Sequence, residues 1–254
     1  MKILNSLWSA FLMYSRIPVP RVEWKEENRR YALCFFPLIG ACIGGMLLLW
    51  QWIYLKLHVG TLLYGAVAAW IPVWLTGGIH MDGYIDVCDA RACLGNREKM
   101  FTVMKDSHVG AFGVIHIVIY MLLQTALFSE VHKTETMAVI ALCFIQSRAY
   151  SALAAVTFKN ARGEGSLMNF SKPAHKRMTV CVELVTVLTC WAVMILIHLT
   201  MGLCAIVGGL AAFLYYRGIS YRHFGGITGD LAGYFLQVCE LVTLAAVVAG
   251  GYCS

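Results

Sequence analysis

Of the chain's 254 residues, 59% are hydrophobic and only 13% charged, against about 45–50% and about 25% in soluble domains, so composition excludes an ordinary soluble protein. Twenty basic and fourteen acidic side chains give a formal charge of +6, but the basic residues cluster between apolar runs, a pattern of membrane orientation and not of nucleic-acid binding. The ten cysteines form no C-x-x-C pair and mostly lie inside apolar runs, which argues for small hydrophobes over a zinc or disulfide framework.

From the N-terminus, residues 1–30 begin with a short apolar stretch, Met1 to Tyr14, carrying Trp8, Phe11 and Tyr14. It is too short to span and has no small-residue cleavage site, so it reads as an interfacial or re-entrant helix. Seven apolar runs follow: Tyr31–Leu57, Thr61–Thr76, Val109–Ser129, Thr136–Phe158, Met178–His198, Leu203–Tyr216 and Leu231–Gly250. A helical crossing takes about 20 residues. The second and sixth runs are short, and a tilted partial span at either would move the count by one. The predicted fold is all-α, a single polytopic integral membrane domain over 1–254 with about seven transmembrane helices.

Six Lys/Arg precede the first run, four lie between the second and third, five follow the fourth and two follow the sixth. The positive-inside rule therefore predicts a cytoplasmic N-terminus, with loops 77–108 and 158–177 on the same face.

The first of those loops opens with T-G-G-I-H-M-D-G-Y-I-D-V-C-D-A-R, Thr76 to Arg91. Asp82, Asp86 and Asp89, spaced i, i+4, i+7, fall within about 60° on one helix face. Three such carboxylates repel one another, and a hard divalent cation (magnesium, manganese or calcium) removes the repulsion. A solvated acidic helix face is the plainer alternative. Gly83 leaves room for backbone to approach a phosphate. His80 points away from the carboxylate face, as a substrate contact or a structural histidine.

The same loop closes with M-K-D-S-H-V-G-A-F-G, Met104 to Gly113. Lys105 suits phosphate charge, Asp106 a metal or a hydroxyl, and Ser107 either substrate or the N-cap of the third span. G-G-I-T-G-D, Gly225 to Asp230, places Gly226 and Thr228 in a tight loop able to turn N–H groups onto an anion; a turn alone would explain the glycines, but not Asp230 at a membrane entrance, where an unpaired carboxylate is costly. In the second loop Arg162 is a candidate anion contact, or only part of the orientation signal. Arg148 and Glu240 lie inside spans, where ionisable groups are costly. Arg148 either binds phosphate or forms a structural ion pair with Glu240 or Glu183.

Together these motifs resemble cobalamin synthase, the adenosylcobinamide-GDP ribazoletransferase family, over nearly the whole chain. The resemblance also includes S-R-I-P-V-P (Ser15–Pro20), F-P-L-I-G (Phe36–Gly40) and H-x-D-G-x-x-D-x-x-D-A from His80 to Ala90. It implies an enzyme of the bacterial cytoplasmic (inner) membrane that joins adenosylcobinamide-GDP to α-ribazole or its 5′-phosphate, releasing GMP. It further implies Mg2+, with Mn2+ as an alternative. Its metal carboxylates would be Asp82, Asp86, Asp89 and Asp230, with Lys105 to Ser107 as its K-D-S. Implied partners are the two substrates, the lipid bilayer and other enzymes of cobalamin assembly, with no nucleic acid.

In the mechanism this suggests, Lys105, Arg162 or Arg148 holds phosphate oxygens and Asp89 or Asp106 takes the hydroxyl proton. Two positions depart from the family pattern: His108 stands where many members have Arg, and Gln237 where many have Glu, leaving Lys105 and Glu240 to compensate. The rival readings are a phosphotransferase for CDP-activated lipid headgroups, whose usual Ala-Arg spacing is absent, and a secondary transporter, for which no internal repeat is visible.

Overall fold

In lipid, a single chain segment satisfies its backbone hydrogen bonds only by coiling on itself, so each apolar run becomes a helix. The computed structural model describes residues 2–93, 96–106, 108–162 and 165–253. In chain order it shows α1 (Lys2–Tyr14), α2 (Glu26–Arg29), a 3-10 turn (Ala32–Phe35), α3 (Phe36–Leu57), α4 (Thr61–Thr76), α5 (Ile79–Ala92) and α6 (Arg97–Val103). There follow α7 (Ala111–Ser129), α8 (Thr134–Thr157), α9 (Ser166–Ser171), α10 (Lys176–Ile197), α11 (Leu199–Ile219), a π-helical turn (Ser220–Phe224) and α12 (Gly229–Tyr252).

Among the described residues six helices are long and apolar enough to cross a membrane, and α4 with α5 makes a seventh candidate bent by 98°. The chain is a multi-pass membrane protein. The sixth run, expected to be short, is a full-length helix of 21 residues. Polar Thr200 before it and Arg217 near its end truncate the apolar pattern without breaking the helix. The helix α1 buries Ser9, Ala10 and Phe11 while exposing Ile3, Leu4 and Leu12, an apolar underside suited to a membrane surface.

At the centre is α8, buried along most of its length. Gly40 and Gly44 of α3 pack directly on the backbone at Phe144 and Ala141, the close approach that small residues allow where lipid supplies no hydrophobic drive. Outward faces such as Val114, Val118 and Leu122 on α7 and Val185 and Leu188 on α10 are exposed and meet lipid.

The helices alternate in direction, so their ends gather at two poles. At one, Tyr252 Oη donates to Glu130 at 2.6 Å and Gln51 Nε2 to the His132 carbonyl at 3.1 Å. At the other, the backbone N–H of Arg16 donates to Leu75 (2.8 Å) and that of His175 to Arg30 (2.9 Å). Among the described residues, this second pole holds the loop motifs singled out in the sequence.

Candidate active site

Helix α4 stops where Gly77 and Gly78 take φ of 68° and 80°, left-handed values that glycine adopts without strain. Their N–H groups close back on Trp74 (3.2 Å) and Val73 (3.0 Å), and the chain turns into α5. The turn lays α5 along α12. Gly83 meets the backbone of Asp230 and Gly233 meets that of His80; a Cβ on Gly83 would stand 2.7 Å from the Asp230 carbonyl oxygen. At the far end of α5, Arg91 donates to Tyr234 Oη (2.9 Å) and Tyr215 Oη (3.3 Å).

This contact brings the first and third motifs together. Asp82 is exposed and Asp86 and Asp230 are half-buried. Asp82, Asp230 and Asp89 all lie close enough to act on the charge of Asp86, and Asp82 also acts on Asp230. Arg162 supplies the opposing charge at Asp230. Its guanidinium lies 4.3 Å over the Phe101 ring and donates to the Phe101 carbonyl at 3.3 Å.

Arg162 is brought there by a parallel bridge between Asn160 and Ile227. In it Ala161 N–H donates to Ile227 at 2.9 Å and Ile227 N–H to Lys159 at 2.8 Å. Gly226 faces the Lys159 carbonyl with no room for a side chain. Thr228 caps α12, its Oγ1 accepting from Leu231 N–H at 3.2 Å, so Asp230 lies in the first turn, where the helix dipole favours a negative charge.

Among the described residues no three His, Cys, Asp or Glu side chains converge tightly enough to form a metal cage of their own. Magnesium rarely uses one: it keeps waters and is held by one or two carboxylates together with substrate phosphates. An open, all-oxygen set at Asp82, Asp86 and Asp230 fits that habit. Beside it opens a cavity of about 190 Å³ between α1, the start of α3, α5, α8 and α12, with Asp82 and Asp230 among its walls.

The family model described as Cobalamin-5-phosphate synthase matches residues 6–248. The chain belongs to the cobalamin-5-phosphate synthase family. It is 44% identical to the adenosylcobinamide-GDP ribazoletransferase of Lachnoclostridium phytofermentans over 99% of this chain and 96% of that one. The proteins of the same name from Clostridium perfringens (32%, covering 90% and 91%) and Acinetobacter baumannii (31%, covering 95% and 96%) are also similar. No solved structure matches.

Against the family motifs, the structure revises two expected roles. Asp89 accepts hydrogen bonds from Gly110 N–H and Gly113 N–H, one on each carboxylate oxygen at 2.8 Å. It therefore satisfies the start of α7, whose first N–H groups have no partner within the helix; with both oxygens engaged it is ill placed either to move a proton or to join Asp82, Asp86 and Asp230 on a metal. Arg148 is fully buried and ion-paired with Glu240, itself 3% exposed, and donates to Ser147 Oγ at 2.9 Å. This is the structural pair and not a phosphate contact; the alternative partner, Glu183, has neither oxygen hydrogen-bonded.

Two further expected residues, Lys105 and Asp106, follow α6 on the surface. Lys105 is exposed and shares a surface hollow with Arg162, Phe101 and Thr102. Asp106, also exposed, accepts from the His108 N–H at 2.9 Å and contacts its Nδ1 at 2.8 Å. Ser107 lies outside the described residues. His80 is buried in the cavity wall beside the Tyr14 and Phe36 rings.

Three contributors were missed by sequence reasoning. Arg97 packs its guanidinium on Gly225, and Tyr14 and Phe36 line the cavity. The last two sit beside S-R-I-P-V-P and at the start of F-P-L-I-G, so those motifs were the available signal.

Proposed function

We propose that this chain joins the phospho-corrinoid of adenosylcobinamide-GDP to a hydroxyl of α-ribazole or its 5′-phosphate. GMP leaves, and adenosylcobalamin or its 5′-phosphate forms. The observation that carries this reading is the meeting of Asp82 and Asp86 with Asp230 at one pole of a chain whose named relatives are adenosylcobinamide-GDP ribazoletransferases. The basic loops support a cytoplasmic orientation for that pole in a bacterial inner membrane, the compartment in which nucleotide-activated substrates are made.

Asp82, Asp86 and Asp230 are the residues that would hold magnesium, or manganese in its stead. When bound, the ion neutralises charge on the diphosphate and on the leaving GMP. Arg162 and Lys105, side by side at the rim, take the remaining phosphate oxygens. The acceptor hydroxyl oxygen attacks the phosphorus attached to the corrinoid, the bond to the GMP oxygen breaks, and the hydroxyl proton passes to a carboxylate. Asp106 fits that last role. Its contacts with the N–H and ring of His108 both fall on Oδ1, which leaves Oδ2 to accept the proton; they also hold its carboxyl below the usual carboxylate range, which makes it a weaker base.

The test is GMP release by the purified protein in nanodiscs with adenosylcobinamide-GDP, α-ribazole and magnesium. Asp82→Asn and Asp86→Asn are expected to lower turnover by about 100-fold or more, and chelation to abolish it. Near-normal release from either variant overturns the metal assignment, and turnover of CDP-diacylglycerol in place of the corrinoid overturns the substrate.

A further inference from the structure

The cavity beside the carboxylates has two chemically distinct parts. Asp82 and Asp230 contribute acidic oxygens, whereas Leu33, Phe36, Ala152, Ala155, Leu167 and Leu236 make much of the remainder apolar. Three rings form one side: Tyr14 and Phe36 lie 4.4 Å apart between centroids, and His80 stacks 6.3 Å from Tyr14 at 26° and meets Phe36 edge-on at 5.9 Å. Aromatic walls of this kind select a flat, apolar ring system.

Size narrows the occupant. An apolar cavity of about 150 Å³ takes a benzene ring, so about 190 Å³ has room for one small aromatic system and none for a tetrapyrrole-sized macrocycle. The corrinoid must lie outside. Two small ring systems remain in the reaction, the guanine of the leaving nucleotide and the base of the acceptor nucleoside. Guanine carries donors and acceptors around its whole edge. Asp82, Asp230, Ser151 and the unpartnered His80 Nε2 could meet some of them, but those turned to Leu33, Ala152, Ala155, Leu167 and Leu236 would be left without partners, which is costly. A benzimidazole base carries almost none.

We infer that this cavity is the acceptor subsite: the apolar base of α-ribazole enters between the Tyr14, Phe36 and His80 rings and the α8 alanines, which leaves its ribose beside Asp82 and Asp230. The inference rests on the proposed reaction. It divides the pole between the substrates, with the acceptor inside the bundle and the GDP-activated corrinoid across the Arg162 and Lys105 rim.

Ala155→Leu fills the cavity from α8 without touching a charged group. It is expected to raise KM for α-ribazole by about tenfold or more, the effect of a few misplaced carbons in an apolar pocket, while KM for adenosylcobinamide-GDP stays put. Leu167→Ala enlarges the cavity from α9 and is expected to raise the same KM by a smaller factor. Independently of either variant, free 5,6-dimethylbenzimidazole should inhibit the wild-type protein competitively against α-ribazole and not against the corrinoid. A rise in donor KM alone, inhibition competitive with the donor, or no inhibition at all overturns the assignment. Absence of GMP release from the wild-type protein would instead sink the proposed reaction.

Discussion

The contact between Gly83 and Asp230 makes a quantitative claim about how tightly the two halves of the site are set. A Cβ added to Gly83 would stand 2.7 Å from the Asp230 carbonyl oxygen and 2.9 Å from its Cα, and ordinary contact begins at 3.4 Å. The obstructing atoms are backbone, so Gly83→Ala must part α5 from α12 by about 0.7 Å, at the overpacking cost of about 1–3 kcal/mol. A displacement near 1 Å in a catalytic constellation lowers rate by about 100-fold, so a fall of about 10- to 100-fold in GMP release is expected. Gly45→Ala supplies the control: it also sits in a helix, but a Cβ there meets nothing within 4 Å, and turnover should not change. Both variants would be assayed in nanodiscs, with thermal unfolding run alongside. Gly83→Ala turning over within about twofold of wild type would refute the claim that helix spacing sets the site.

Asp89→Asn replaces a charged acceptor of two backbone N–H groups and is expected to cost about 1.5–3 kcal/mol, read as a lower Tm. Asp82→Asn should instead leave Tm unchanged while removing turnover, and equal Tm losses from the two would erase the distinction drawn between them. Arg148→Met strands a buried carboxylate and should cost about 3–5 kcal/mol. Pairing it with Glu240→Leu should recover most of that loss in a detergent unfolding assay, and a double variant no more stable than the single one would contradict a purely structural pair.

The spans and the carboxylate face were legible because both depend on local pattern: run length for the helices, and i, i+4, i+7 spacing for Asp82, Asp86 and Asp89. Partner choice was not. Asp89 shares that helix face with Asp86, and only the fold reveals that Gly110 and Gly113, more than twenty residues on, take its oxygens. Likewise Arg148 had two candidate carboxylates in the sequence, and helix packing selected Glu240. Gly77 and Gly78 signalled a break after α4, but not the 98° turn that carries α5 onto α12. The short sixth run misled for a simpler reason: Arg217 sits near a helix end, where its long stem leaves the charge outside the apolar zone.

With 16 residues, α4 rises only about 24 Å, whereas the hydrocarbon layer is about 30 Å thick. Anchored at its opposite end, it would deliver the first turn of α5 about 6 Å beneath the lipid boundary, unless the bilayer thins locally around it. The phosphates of the proposed reaction would then meet below the plane of the headgroups, in a dimple of the protein's own making. An amphiphilic substrate already adsorbed to the surface can slide into such a depression without returning to bulk water. Membrane thickness thereby becomes part of the enzyme's geometry.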